Sequence, residues 1–109
     1  MARIGAVVPD LLLASKVAET LGSAGHTVVT ASEPDDAALA GMDLLVVDVG
    51  AVPPSAVAGR TAPVLGFYRH TEPAVRERAE AAGVELVVPR SRLAREMPAL
   101  VEQLLGKDP

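Results

Sequence analysis

The chain has 109 residues, 10 basic and 14 acidic side chains and a formal net charge of −4. Half of it is hydrophobic and 22% is charged, which excludes intrinsic disorder, and the length suits one domain rather than two. With 2% aromatic residues and no cysteine, a stacking platform for nucleic acid, a disulfide framework, a thiolate metal site and a thiol nucleophile are all excluded.

The first apolar run, Ile4 to Val8, reads as a strand. Met1-Ala2-Arg3 ahead of it mimics the start of a signal peptide, but Asp10 interrupts the run and an amphipathic pattern follows, so the segment reads as folded protein. Asp10 is a good N-cap for a helix from about Leu11 to Ser23. Leu13, Val17 and Leu21, with Ala14 and Ala18, form its buried stripe, and Lys16, Glu19 and Thr20 face water. Gly25 stops it, and His26 leads into a second strand at 27–30. Glu33 to Gly41 reads as a short helix begun by Pro34 and an acidic first turn, Asp35-Asp36. A third strand spans 44–47. Ala51 to Ala62 holds Pro53, Pro54 and Gly59, and so gives one helical turn or an ordered loop. A fourth strand covers 63–68. Thr71 then caps a helix from Glu72 to Ala82, with Pro73 in its first turn and Gly83 ending it. After a fifth strand at 86–88, Pro98 fits the first turn of a last helix running from near Glu96 to Gly106. One domain thus spans 1–106, with 107–109 expected to fray.

The strand runs are continuously apolar, as strands covered on both faces are. Alternating strands and helices with right-handed crossovers give a three-layer α/β sandwich, its five parallel strands in the order 2-1-3-4-5. The functional edge of such a sheet lies beyond the carboxyl ends of its strands, at the switch point between strands 1 and 3. That rule selects Pro9, Asp10, Asp48, Gly50, Tyr68, Arg69, His70 and Arg90.

Charge is unevenly spread. Residues 1–59 hold two basic and seven acidic side chains, a balance of −5; residues 60–109 hold eight and seven, a balance of +1. Glutamates alternate with the later arginines, so no polybasic nucleic-acid patch exists. The longest uncharged apolar stretches, about ten residues, are too short to span a bilayer. A cytoplasmic location is expected.

Asp43-Leu-Leu-Val-Val-Asp48, Pro63-Val-Leu-Gly-Phe-Tyr68 and Gly83-Val-Glu-Leu-Val-Val-Pro-Arg90 together resemble the receiver domain of two-component response regulators, over nearly the whole chain. The resemblance implies a flavodoxin-like sheet and places Asp48 at the family's phosphoacceptor position. Phosphoryl transfer to a carboxylate needs a divalent cation to neutralise the charge brought together. The family holds it with an acidic pair ending strand 1, positions filled here by Val8 and Pro9; Asp10, one step on, is better employed as a helix cap. The family's small hydroxyl residue aligns with Tyr68 and its lysine with Arg90, which keeps the charge but not the geometry. The proline normally following that lysine is displaced to Pro89. The stretch between Asp48 and Tyr68 is too short for a full third helix.

The expectation is therefore an atypical receiver, or pseudo-receiver, that binds a protein partner without phosphorylation, catalysis or a cofactor. Asp48 is expected to bond to nearby backbone amides or pair with Arg90. Arg69, Arg76, Arg90, Arg92 and Arg95, with Tyr68, are the candidate binding residues, read either as a contact face or as solvated cations. They are expected around the 72–82 helix, the 86–88 strand and the 96–106 helix, the side that receiver relatives use for dimerisation and output. Two alternatives remain: a working receiver phosphorylated on Asp48 with Mg²⁺ held by Asp48 and Asp10, and a flavodoxin-like binder of a nucleotide or other small molecule. Against the last, Val8-Pro9-Asp10 replaces a phosphate-binding glycine loop, and proline removes a backbone donor. An Asp48–His70 hydrolytic pair lacks a nucleophile at a matching strand end, and His26 and His70 lack zinc-ligand spacing.

Overall fold

The computed structural model describes residues 2–57, 59–69 and 72–106. The predicted Thr71 cap, the cleft position of His70 and the frayed 107–109 lie outside them. Five parallel strands, β1 (Arg3–Val7), β2 (Thr27–Ala31), β3 (Leu44–Asp48), β4 (Val64–Tyr68) and β5 (Leu86–Pro89), form one sheet in the order β2-β1-β3-β4-β5. The helices are α1 (Leu11–Ser23), α2 (Pro73–Ala81) and α3 (Arg90–Leu105).

Apolar side chains alternate into two clusters. Ile4, Ala6 and Val8, Leu44 and Val46, and Leu65 and Phe67 point to the face covered by α1 and α3, where they meet Val17, Leu21, Leu93, Met97 and Val101. Val7, Leu45, Val47, Val64 and Tyr68 point to the other face, toward Leu39, Val52, Val57 and the α2 residues Val75 and Ala79. Period-two alternation between two apolar layers is why β3 and β4 are continuously buried up to their ends.

The second face is the thinner one. Its first crossover, expected as a helix over 33–41, is only a 3₁₀ turn at Ala37–Leu39, capped by Asp36, whose carboxylate accepts the Ala38 N–H at 2.9 Å. Its second is a 3₁₀ turn at Pro54–Ala56, which fits the single turn allowed to that segment. The Arg60 guanidinium donates to the Pro34 carbonyl and ties the two connections together. Gly5 faces this layer, and a Cβ there would lie 2.7 Å from Leu45 Cδ2 and 2.8 Å from Leu39 Cδ2, so the short first turn sits almost on the β1 backbone.

The last helix corrects the expectation of a start near Glu96. It begins at Arg90, directly after Pro89, and carries Pro98 in its interior. The buried series Leu93, Met97, Leu100, Val101 and Leu104 continues without a break through the proline. Packing of this stripe on the sheet offsets the one backbone bond that proline forfeits. At the amino-terminal edge of the sheet, the Ala2 N–H donates to His26 Nδ1 at 3.1 Å. This leaves the ring proton on Nε2, 3.1 Å from a Glu102 carboxylate oxygen. His26 thereby fastens the end of α3 to β1 and β2.

An interior Pro98 makes a measurable claim. Pro98→Ala restores the missing N–H and removes the ring's clash with the preceding turn. It is expected to stabilise the fold by about 1–3 kcal/mol in urea unfolding. A neutral effect would instead place a helix start at that proline.

Candidate functional site

The carboxyl ends of β1, β3, β4 and β5 open on a cleft of about 510 Å³. It is lined by Pro9, Asp10, Asp48, Gly50, Ala51, Phe67, Tyr68, Arg69, Glu72 and Arg90. Most of the residues chosen by the switch-point rule therefore share one cavity, whereas Arg76 lies on α2 and Arg92 and Arg95 on α3.

Asp48 ends β3, where the buried run Leu44–Val47 gives way to a half-buried position. Its Oδ1 accepts the Gly50 N–H at 3.1 Å. Of the two expected anchors the backbone amide is the one present; among the described residues, Asp48 makes no ion pair with Arg90. Glu72 is the cleft residue that sequence reasoning missed, having been read as the first residue of a helix. A Cβ at Gly50 would lie 3.4 Å from Asp48 Oδ1 and 3.8 Å from Glu72 Oε1, so the two carboxylates border the same gap. The only local signal was its place just beyond β4, at the N-cap of α2, where it forms no side-chain cap.

Asp10 performs the capping role expected of it. Its Oδ1 accepts the N–H groups of Leu12 at 3.0 Å and Leu13 at 3.2 Å, satisfying two otherwise free donors of the first turn of α1. Val8 is 2% exposed and its side chain belongs to the α1–α3 cluster, among hydrocarbon. Pro9 contributes no side-chain donor atom to the cleft.

Tyr68, 6% exposed, is packed into the second-face cluster with Val75 and Ala79 of α2. Arg76, on the same helix, reaches Glu80 Oε2 at 3.3 Å. Its guanidinium is held above its ordinary pKa by that hydrogen bond first and by one to Tyr68 second. Arg92 pairs with Glu96 at 3.5 Å, and Arg95 donates to the Ser91 carbonyl at 3.4 Å. These contacts are solvent-exposed and add little stability.

The sequence matches no protein-family model and no curated protein. Similarity appears in the fold. A response regulator receiver protein from Burkholderia phymatum superposes with a TM-score of 0.81 at 22% identity, covering 99% of this chain and 98% of that one. The non-phosphorylated HemR receiver domain from Leptospira biflexa gives 0.79 at 19% identity, over 100% and 98% of the two chains. NtrX from Brucella abortus, solved with ADP, gives 0.82 at 19% identity over 96% of this chain, which spans only 27% of that longer protein. The chain has the receiver fold. The strand order agrees with it, and the departure is the β3–β4 crossover, which holds only the 3₁₀ turn at Pro54–Ala56.

The receiver-like cleft does not fit the cation that receiver phosphoryl chemistry uses. Magnesium is held through carboxylates and waters, but Val8 and Pro9 occupy the strand-end positions and Asp10 spends an oxygen on the helix cap. Among the described residues, no group of three or more His, Cys, Asp or Glu side chains is arranged to hold a metal. Asp48 and Glu72 border one gap, and Arg69 and Arg90 line the same cleft.

The capping role has a direct consequence. Asp10→Ala is expected to lower stability by about 0.5–2 kcal/mol and Asp10→Asn by much less, since asparagine caps comparably. Chemical denaturation of both variants checks this. Equal losses for the two would mean that negative charge, not the cap, is what position 10 supplies.

Proposed function

We propose that the chain is a non-enzymatic, receiver-like signalling or regulatory module that binds a protein partner without phosphorylation of Asp48. The observation that carries this reading is the side chain of Val8, buried in hydrocarbon where receiver chemistry calls for a metal-holding carboxylate. Tyr68 supports it. A phenol ring anchored in the α2 cluster stands in place of a small hydroxyl that would contact a phosphoryl group.

Recognition in this reading runs over α2, β5 and α3, where Arg76, Arg92 and Arg95 are exposed or half-exposed. Tyr68, Arg69 and Arg90 form the edge of that surface at the cleft. Arginine suits such a role because its planar donors match carboxylates. A homodimer would use the same face. The proposed location is the cytoplasm; no helix among the described residues is long and apolar enough to cross a membrane.

The decisive experiment is incubation with a small acyl-phosphate donor and Mg²⁺, followed by intact-mass measurement. The mass is expected to stay unchanged for the parent and for Asp48→Asn alike. A phosphoryl adduct on the parent that Asp48→Asn abolishes would establish the working receiver instead.

A further inference from the structure

The two edges of the sheet are built differently. At one edge, β5 ends in Pro89 and is bracketed by Glu85 and Arg90, the proline and charge with which proteins close an edge against further pairing. At the other, β2 reads Thr27-Val28-Val29-Thr30-Ala31, with no charge and no proline. Thr27 and Thr30 are exposed, and Val28 and Val29 are half-buried. The connection leaving β2 is the 3₁₀ turn at Ala37–Leu39 in place of a helix.

The pairing with β1 fixes which backbone groups this edge leaves open. The Thr27 N–H donates to the Ala2 carbonyl at 2.9 Å, and the Ala31 carbonyl accepts the Val8 N–H at 3.1 Å. Successive strand residues point their N–H and C=O to opposite sides. Thr27, Val29 and Ala31 therefore serve the ladder with β1, and Val28 and Thr30 turn both groups away from it. Just beyond β2 stand Glu33 and Asp35, both exposed and, among the described residues, without an ion pair. Arg60, which reaches this turn, donates to the Pro34 carbonyl rather than to a carboxylate. The sequence holds no lysine or arginine between Lys16 and Arg60.

We propose that β2 is the docking edge for an extended segment of a partner protein, which adds an antiparallel strand through the Val28 and Thr30 backbone groups and sets basic side chains against Glu33 and Asp35. Main-chain bonds supply the binding, and the acidic turn fixes the direction of the added strand. Charge decides the occupant. A second copy of this chain, pairing antiparallel with Val28 against Thr30, would bring each acidic turn beside the start of the other β2. The stretch Leu21–Val29 there carries no lysine or arginine, so both turns would stay unpaired. A foreign strand with basic residues ahead of a β-branched run meets both demands. This edge lies at the opposite end of the sheet from β5, and its open groups are the same whether or not Asp48 accepts a phosphoryl group.

The test is NMR titration and amide exchange of the ¹⁵N-labelled chain with two acetylated peptides of alternating threonine and valine. One peptide begins with lysines, the other with glutamates at the same positions. Saturating lysine peptide is expected to slow exchange at Val28 and Thr30 at least about tenfold, and far more than at Thr27 and Val29. It should bind at least about tenfold more tightly than the glutamate peptide. Val28→Pro removes one outward donor and should abolish the protection at Thr30. Glu33→Lys/Asp35→Lys, a change at two exposed side chains, should reverse the preference between the peptides, and it decides alone if the proline variant does not fold. Equal affinity for the two, no binding by either, shifts centred elsewhere, an unreversed preference, or undiminished binding by a folded proline variant would overturn the proposal. Protection of Val28 and Thr30 that rises with the concentration of the free chain would also overturn it, giving the edge to a second copy.

Discussion

Strand β3 is covered on both faces, and the chemistry available at the cleft follows from where that cover ends. Leu44 and Val46 enter one apolar layer while Leu45 and Val47 enter the other. Asp48 is the first position at which the strand leaves both layers, so its carboxylate stands half-exposed at the sheet edge with a turn amide for a partner. Burying an unpaired carboxylate one step earlier would be strongly unfavourable. The position of Asp48 is thus fixed by burial, independently of any use made of it.

Strand β1 meets the same boundary differently. Val8 extends its apolar series one residue beyond the last strand position and keeps the end of β1 dry. Polarity returns only at Asp10, whose acceptor oxygen serves the first turn of α1. Besides Asp10 and Asp48, Glu72 brings a carboxylate to the cleft and borders the same gap as Asp48. A receiver's fold is thus kept with Val8 and Pro9, not carboxylates, following β1.

The two faces of the sheet also differ in cover. Long helices α1 and α3 pack one side, and α3 is further held by the His26–Glu102 contact at the opposite edge from the cleft. The other side has a single helix, α2, and two short 3₁₀ turns joined through Arg60 and the Pro34 carbonyl. The three helices α1, α2 and α3 are therefore the elements long enough to present a continuous stripe.

The sequence alone determined the sheet and its order, because continuous apolar runs of strand length separated by capped amphipathic segments admit few topologies. It also determined the capping role of Asp10, which depends on neighbours close in the chain, and, through the strand order, which strand-end residues line one cleft. The tertiary structure decided the rest. Pro98 looked like a helix start because local rules favour proline in a first turn, and only the packing of Leu93 against the sheet carries α3 back to Arg90. The 33–41 helix shrank to one 3₁₀ turn, with Leu39 its one buried residue. Glu72 beside Asp48, and His26 bridging Ala2 to Glu102, join residues 24 and 76 positions apart or meet across separate strands. Such contacts depend on how crossovers return the chain in space, for which a linear pattern of residues holds no local signal.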